Sequence, residues 1–250
     1  GALGALSAQG LFVTLPEEIT ARVDPSFTSF DGTWVGVTGR ARVIVYDSET
    51  VAVEDLPATA DAIVGPQWSG KVGVAPGNAS FQSFVTAYRV LRGEGAADQW
   101  VSGLTINDPQ IFEKNSAILE AVNDGTIALG LINHYYWYQM QAERGVENMR
   151  AKLYFTQAGD PTSIVNVSGA GILKAQSYDL DAYELVSYLV SDKAQQYFVE
   201  TTYEYPLVPG IAPPEGLPAL SELATADFDL SDLRTLAQTQ ELLRKYGLIF

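Results

Sequence analysis

The sequence predicts an α/β protein with mainly parallel sheets, and three observations carry that prediction. Apolar runs such as Lys71-Val72-Gly73-Val74-Ala75 and Ile127-Ala128-Leu129-Gly130-Leu131-Ile132 are nearly continuous, as expected of strands covered on both faces. Segments of helical period, Phe81 to Leu91 and Tyr135 to Arg144, follow these runs across short polar corners. The 250 residues are 47% hydrophobic and only 18% charged. That is enough apolar side chain for a core in one or two domains, and too low a charge density for disorder.

The elements follow in order. Leu3 and Leu6 with Ala2 and Ala5 predict a helix already under way, stopped at Gly10. This opening lacks an initiator Met, a basic n-region and an apolar run long enough for export, so it is not read as a signal peptide. Thr33 to Asp47 predicts a long central strand, with Val43-Ile44-Val45-Tyr46 as its buried run. A short helix is expected in the stretch from Asp55 to Trp68. Lys71 to Ala75 is a strand, and the turn Pro76-Gly77-Asn78-Ala79-Ser80 leads into a helix through Phe81, Phe84, Val85 and Tyr88. Asn115-Ser116 stands where an N-cap belongs, before a helix ended by Asn123-Asp124-Gly125. Ile127 to Ile132 is a strand, Asn133-His134 a corner, and Tyr135 to Arg144 a helix stopped at Gly145. Strands at Lys152 to Phe155 and Ser163 to Leu173 precede helices at Leu180 to Val190 and Ala194 to Glu200. In the Pro-rich stretch that follows, Tyr203, Tyr205 and Leu207 alternate as a strand would. Asp229 to Asp232 caps a last helix through Leu233, Leu236, Leu242 and Leu243.

Composition excludes several functions. A net charge of −15 with 15 scattered Lys and Arg residues argues against nucleic acid as a partner. No stretch approaches the roughly 20 apolar residues of a membrane span. With no cysteine and one histidine, thiolate and multi-imidazole metal sites are out of reach. Gly-rich phosphate loops and Ser-His-Asp ordering are absent, and no carboxylates are visibly paired for glycoside chemistry, so an enzyme is not expected.

What remains is the phenol pair Tyr135-Tyr136. A free phenol ionises near pH 10, so a phenolate at neutral pH needs a strongly positive partner. Ferric ion supplies one, being small, trivalent and partial to anionic oxygen. Successive helical side chains diverge by about 100°, and only the end of a helix lets both rings reach one cleft. The bland alternative is aromatic packing, which is how Trp137 and Tyr138 are read. His134 is read as a hydrogen-bonded histidine, and Asn78, Ser80 and Asn115 serve equally as turn and cap residues. Arg40 and Arg42 alternate toward one face of their strand, for an anion or for a surface ion pair.

Several motifs nonetheless occur together and in a fixed order: Gly39-Arg40-Ala41-Arg42-Val43-Ile44-Val45-Tyr46-Asp47, Asn78-Ala79-Ser80-Phe81-Gln82, Lys114-Asn115-Ser116, Ile132-Asn133-His134-Tyr135-Tyr136-Trp137-Tyr138, Arg144-Gly145-Val146-Glu147-Asn148 and Ser168-Gly169-Ala170-Gly171. In this they resemble the bacterial periplasmic ferric-ion-binding proteins, solute receptors of iron ABC transporters, along the whole chain. The resemblance implies a two-lobed class II periplasmic-binding-protein fold. Residues 1–47 and 157–250 would form a first lobe, truncated at its start, and 48–156 a second lobe, with hinge crossovers near 43–47 and 155–165. It implies Fe3+ on Tyr135 and Tyr136, and a synergistic anion, carbonate or phosphate, on Asn78, Ala79, Ser80, Asn115 and Asn133 with charge from Arg40. Relatives often read Ser-Gly-Ala at the anion turn, so the departure here makes carbonate at least as plausible as phosphate. The remaining ligands, typically His and Glu or Gln, would lie in a preceding segment. The implied protein is a monomer, periplasmic or membrane-tethered outside the cell, with an ABC permease as partner. The alternatives are a receptor for a sugar or polyamine with the aromatics as a stacking platform, or a glycoside-processing enzyme.

Overall fold

The computed structural model of the chain describes residues 2–223 and 230–250. In chain order the elements used below are α1 (Ala2–Ala8), β1 (Val35–Asp47), β2 (Val72–Val74), α2 (Ala79–Arg92), α3 (Glu94–Ile106), β3 (Gln110–Ile111), α4 (Asn115–Asn123), β4 (Leu129–Asn133), α5 (Tyr135–Arg144), β5 (Ala151–Tyr154), β6 (Val165–Ala170), α6 (Leu180–Leu189), α7 (Asp192–Tyr197), β7 (Tyr205–Pro206) and α8 (Leu236–Lys245). The described residues divide into two compact units, 2–40 with 165–222 and 230–235, and 41–164 with 223 and 236–250. Strand β1 therefore runs from one unit into the other, and every residue of it except Arg40 is buried.

In the second unit the sheet order is β3-β2-β4-β1-β5. Strand β2 is parallel to β3 and β4, as strand–helix–strand connections require, whereas β1 is antiparallel to β4 and β5. The sheet is thus mixed, parallel at one edge and antiparallel where β1 meets β4 and β5. Helix α2 forms because Asn78 caps it and Phe81, Phe84, Val85 and Tyr88 repeat at helical spacing. Those side chains are buried, and the Phe84 ring meets Trp100 of α3 edge-on at 5.3 Å. Each contributes about 1.5–3 kcal/mol by leaving water. Gly93, at φ 85°, ends the helix. Gly130 lets α4 lie directly on β4, since a Cβ there would stand 2.2 Å from Ile118 Cγ2.

The first unit has its own core of Leu15, Ile19, Val35, Ile172, Val186 and Leu207. Strands β6 and β7 both pair with β1. The buried Gln195 amide donates to the Val37 carbonyl at 2.7 Å and accepts from the Leu207 N–H at 2.8 Å, fixing α7 against β1.

Several expectations shift. The α4 cap position belongs to Lys114, and Asn115 is instead the first helical residue, buried and turned inward. The strand expected over Ser163 to Leu173 shortens to β6, because Asp160 caps a tight turn at Pro161–Ser163. Tyr203 breaks the alternation with a left-handed φ of 58°, which leaves only β7 as strand. The Asp229 cap lies outside the described residues. Helix α8 packs in the second unit, with Leu243 fully buried and Thr239 on Thr86 of α2.

Candidate functional site

The site is built at two strand-to-helix corners of the second unit. Strand β4 ends at Asn133, opposite Arg42 of β1. His134 follows, completely buried; its N–H donates to the Ala41 carbonyl at 3.1 Å and its Nδ1 accepts from the Ala41 N–H at 3.1 Å. An Nδ1 that accepts is unprotonated, so this histidine pins the corner to β1 as a neutral ring. Tyr135 and Tyr138 stand edge-on to it at 5.9 and 6.4 Å. Burial pushes the Tyr138 phenol up, and Trp137 donates to the Ala151 carbonyl at 2.7 Å, so both serve packing as the sequence suggests.

Tyr135 and Tyr136 open α5. Their rings are stacked, with centroids 4.3 Å apart and planes at 29°, and both residues are half-exposed. Neighbouring helical side chains ordinarily splay apart. Here, at the first turn, the two rings run together.

Electrostatically coupled to them is Arg42, 2% exposed. One terminal nitrogen donates to the Leu131 carbonyl at 2.7 Å. The other donates to Ser80 Oγ at 3.0 Å and to the side-chain oxygens of Asn115 and Asn133, both at 3.4 Å. Its Nε–H has no hydrogen-bond partner, and the guanidinium lies over the Phe84 ring at 5.9 Å. Among the described residues it has no carboxylate partner. Burial pushes its pKa down to about 9, with Tyr136 and Tyr135 acting in the opposite direction. It therefore stays charged at neutral pH. A buried cation without a counter-ion is costly, and an anion or a phenolate beside it offsets that cost.

The second corner is the turn into α2. Asn78 Oδ1 accepts from the Ser80 N–H at 2.9 Å and from Ser80 Oγ at 2.7 Å. The same hydroxyl accepts from Arg42 and from Asn115 Nδ2 at 3.0 Å, so its donor and both acceptor positions are used. Ala79 is exposed at the start of α2 and can offer only its backbone.

The structure thus brings Asn78, Ser80, Asn115 and Asn133 together around Arg42, with Tyr135 and Tyr136 electrostatically coupled to it. Arg40, named from the sequence, lies in the first unit. There its guanidinium pairs with Glu204 at 3.2 Å, and Glu204 also accepts from the Thr38 hydroxyl. Sequence reasoning weighed Arg42 beside Arg40 for an anion or a surface ion pair and carried only Arg40 forward, whereas it is Arg42 that lies among Ser80, Asn115 and Asn133. Its signal was its register opposite Asn133, which strand alternation alone does not reveal. Among the described residues no group of three or more His, Cys, Asp or Glu side chains is placed to hold a metal.

Two α/β units joined through a shared strand, with a buried guanidinium and a phenol pair near strand-to-helix corners, fit a two-lobed solute-binding protein. The chain belongs to the bacterial extracellular solute-binding protein family, which it matches over residues 1–228. It is 32% identical over 251 residues to the major ferric iron-binding protein of Neisseria meningitidis serogroup B, covering 99% of this chain and 75% of that protein. It is 33% identical over 242 residues to iron uptake protein A2 of Synechocystis, covering 93% of this chain and 70% of that protein. Iron-bound HitA from Pseudomonas aeruginosa superposes with a TM-score of 0.92 at 31% identity, covering 98% of this chain and 79% of that one.

Proposed function

We propose that the chain is an extracytoplasmic receptor that binds Fe3+ through Tyr135 and Tyr136 and hands it to the permease of an ABC importer. The observation that carries this reading is the stacked, partly exposed phenol pair electrostatically coupled to a buried guanidinium with no carboxylate partner among the described residues. The relatives named for iron, on both the sequence and the structure side, support it. The family is one of solute-binding proteins rather than enzymes. Among the described residues no helix is long and apolar enough to cross a membrane.

The chemistry follows from charge. Fe3+ takes the two phenolates, and each phenol gives up a proton on binding. A synergistic anion, carbonate or phosphate, sits at the Asn78–Ala79–Ser80 turn with Asn115 and Asn133. Arg42 supplies the balancing positive charge through its unpartnered Nε–H, and Arg40 contributes charge from farther along the same strand. Capture and release involve bending near residues 43–47 and 155–165, with 48–156 as the core of the moving lobe. Acid favours release because protons compete for both phenolates.

A ferric titration of the protein with and without bicarbonate tests the reading. Saturable uptake that tightens with bicarbonate is expected. Uptake that ignores the anion would remove the anion site from the proposal, and tight binding of a sugar or polyamine with no ferric uptake would replace it.

A further inference from the structure

One buried side chain ties the anion turn to the far end of the chain. Gln82, 8% exposed, lies on the first turn of α2, and its Nε2 donates to the Pro76 carbonyl at 3.1 Å. A carbonyl can only accept, so this bond sets which way the amide faces. Its Oε1 is then left to accept from Gln240 Nε2 of α8, at 3.2 Å. One helical turn on, a parallel relay runs from Arg89 to Thr239 Oγ1 at 2.9 Å, from Thr239 to Thr86 Oγ1 at 2.7 Å, and from Thr86 to the Gln82 carbonyl at 2.8 Å. Both relays end on the segment that carries Asn78 and Ser80. On the turn's own side, Asn78 Oδ1 is spent on Ser80, and Gly77 has no side chain to hold it.

We propose that Gln82 is a positioning residue for the anion turn, and that α8 sets its aim through Gln240, so the C-terminal helix tunes anion affinity without touching the anion. The inference rests on the reading of Asn78–Ser80 as the anion's seat. A leucine at 82 would keep the bulk and lose both bonds. The buried Pro76 carbonyl would lose its amide donor, and the turn would sample more conformations.

The test compares Gln82→Leu, Gln240→Leu and the double variant in the full chain, by three measurements. These are the bicarbonate concentration for half-maximal ferric uptake, amide hydrogen exchange across residues 76–80, and the thermal midpoint. Losing one hydrogen bond of ordinary strength predicts about threefold to tenfold more bicarbonate for Gln82→Leu. Exchange in the turn should be faster, and uptake at saturating bicarbonate unchanged. Gln240→Leu, at the half-buried rim, should shift in the same direction by less, and the double variant should be no worse than Gln82→Leu alone because both act through one amide. A purely structural role would lower the thermal midpoint and leave both half-saturation and exchange where they were, which would overturn the proposal. If the unaltered protein takes up ferric ion with no bicarbonate dependence, the anion reading falls. Exchange alone then decides whether Gln82 holds the turn: faster exchange in Gln82→Leu sustains the positioning role and unchanged exchange overturns it.

Discussion

Arg42 gathers the hydrogen bonds of the candidate site onto one residue. Its guanidinium joins Ser80, Asn115 and Asn133, so Arg42→Met should weaken anion-supported ferric binding by roughly tenfold to a hundredfold, the worth of a charged hydrogen bond. Arg40→Gln should weaken it by less, and parallel ferric titrations of the two variants check the ranking. The phenol pair and its place at a helix start were legible in the sequence, but its reading as a ferric site came from the resemblance, since adjacent aromatics at a helix start also serve packing. That Arg42 rather than Arg40 lies among Ser80, Asn115 and Asn133 was not legible, since residues 40 and 42 share one strand face and only the course of β1 separates them. Asn115 was legible as a polar helix-start residue, but its inward turn depends on Arg42 and Ser80, which come from distant parts of the chain. A second residue-scale prediction concerns acid. Asp47, at the end of β1, is held down to about 2, chiefly by hydrogen bonds from Arg150 at 2.5 and 2.6 Å. A carboxyl depressed below its unfolded value, near 3.9, stabilises the fold above about pH 4. That stability is lost as pH falls toward about 2. Thermal midpoints should drop across that window in the unaltered protein, and Asp47→Asn should flatten the drop.

At the scale of elements, the site depends on helices brought close to the sheet. Gly130→Ala would drive a methyl into Ile118 and Val45, and should destabilise the protein by about 1–3 kcal/mol in denaturant unfolding, as overpacking does. The long strand, the helix after each corner and the stops at Gly10 and Gly145 could be read from local pattern, because capping and periodicity are local properties. The parallel and antiparallel halves of the sheet could not, because β1 joins its partners across long stretches of chain. Nor does anything in the period of Leu236 to Lys245 announce that it packs on α2. The polar part of that contact is made by Gln82, Thr86, Arg89, Thr239 and Gln240, whose side chains look like ordinary surface residues in sequence.

For the whole molecule, ligand capture and stability are linked. An ion bound by the folded chain and not by the unfolded one stabilises by about 2.7 kcal/mol at a hundredfold excess over Kd. Ferric ion with bicarbonate should therefore raise the thermal midpoint, and should fail to do so in a Tyr135→Phe, Tyr136→Phe double variant. The most direct measurement is the visible absorption spectrum during ferric titration of the unaltered protein and of each single phenylalanine variant. The account predicts a tyrosinate-to-iron charge-transfer band that grows to saturation in the unaltered protein and is weakened or lost in both variants. A band of unchanged intensity and affinity in either variant would contradict it.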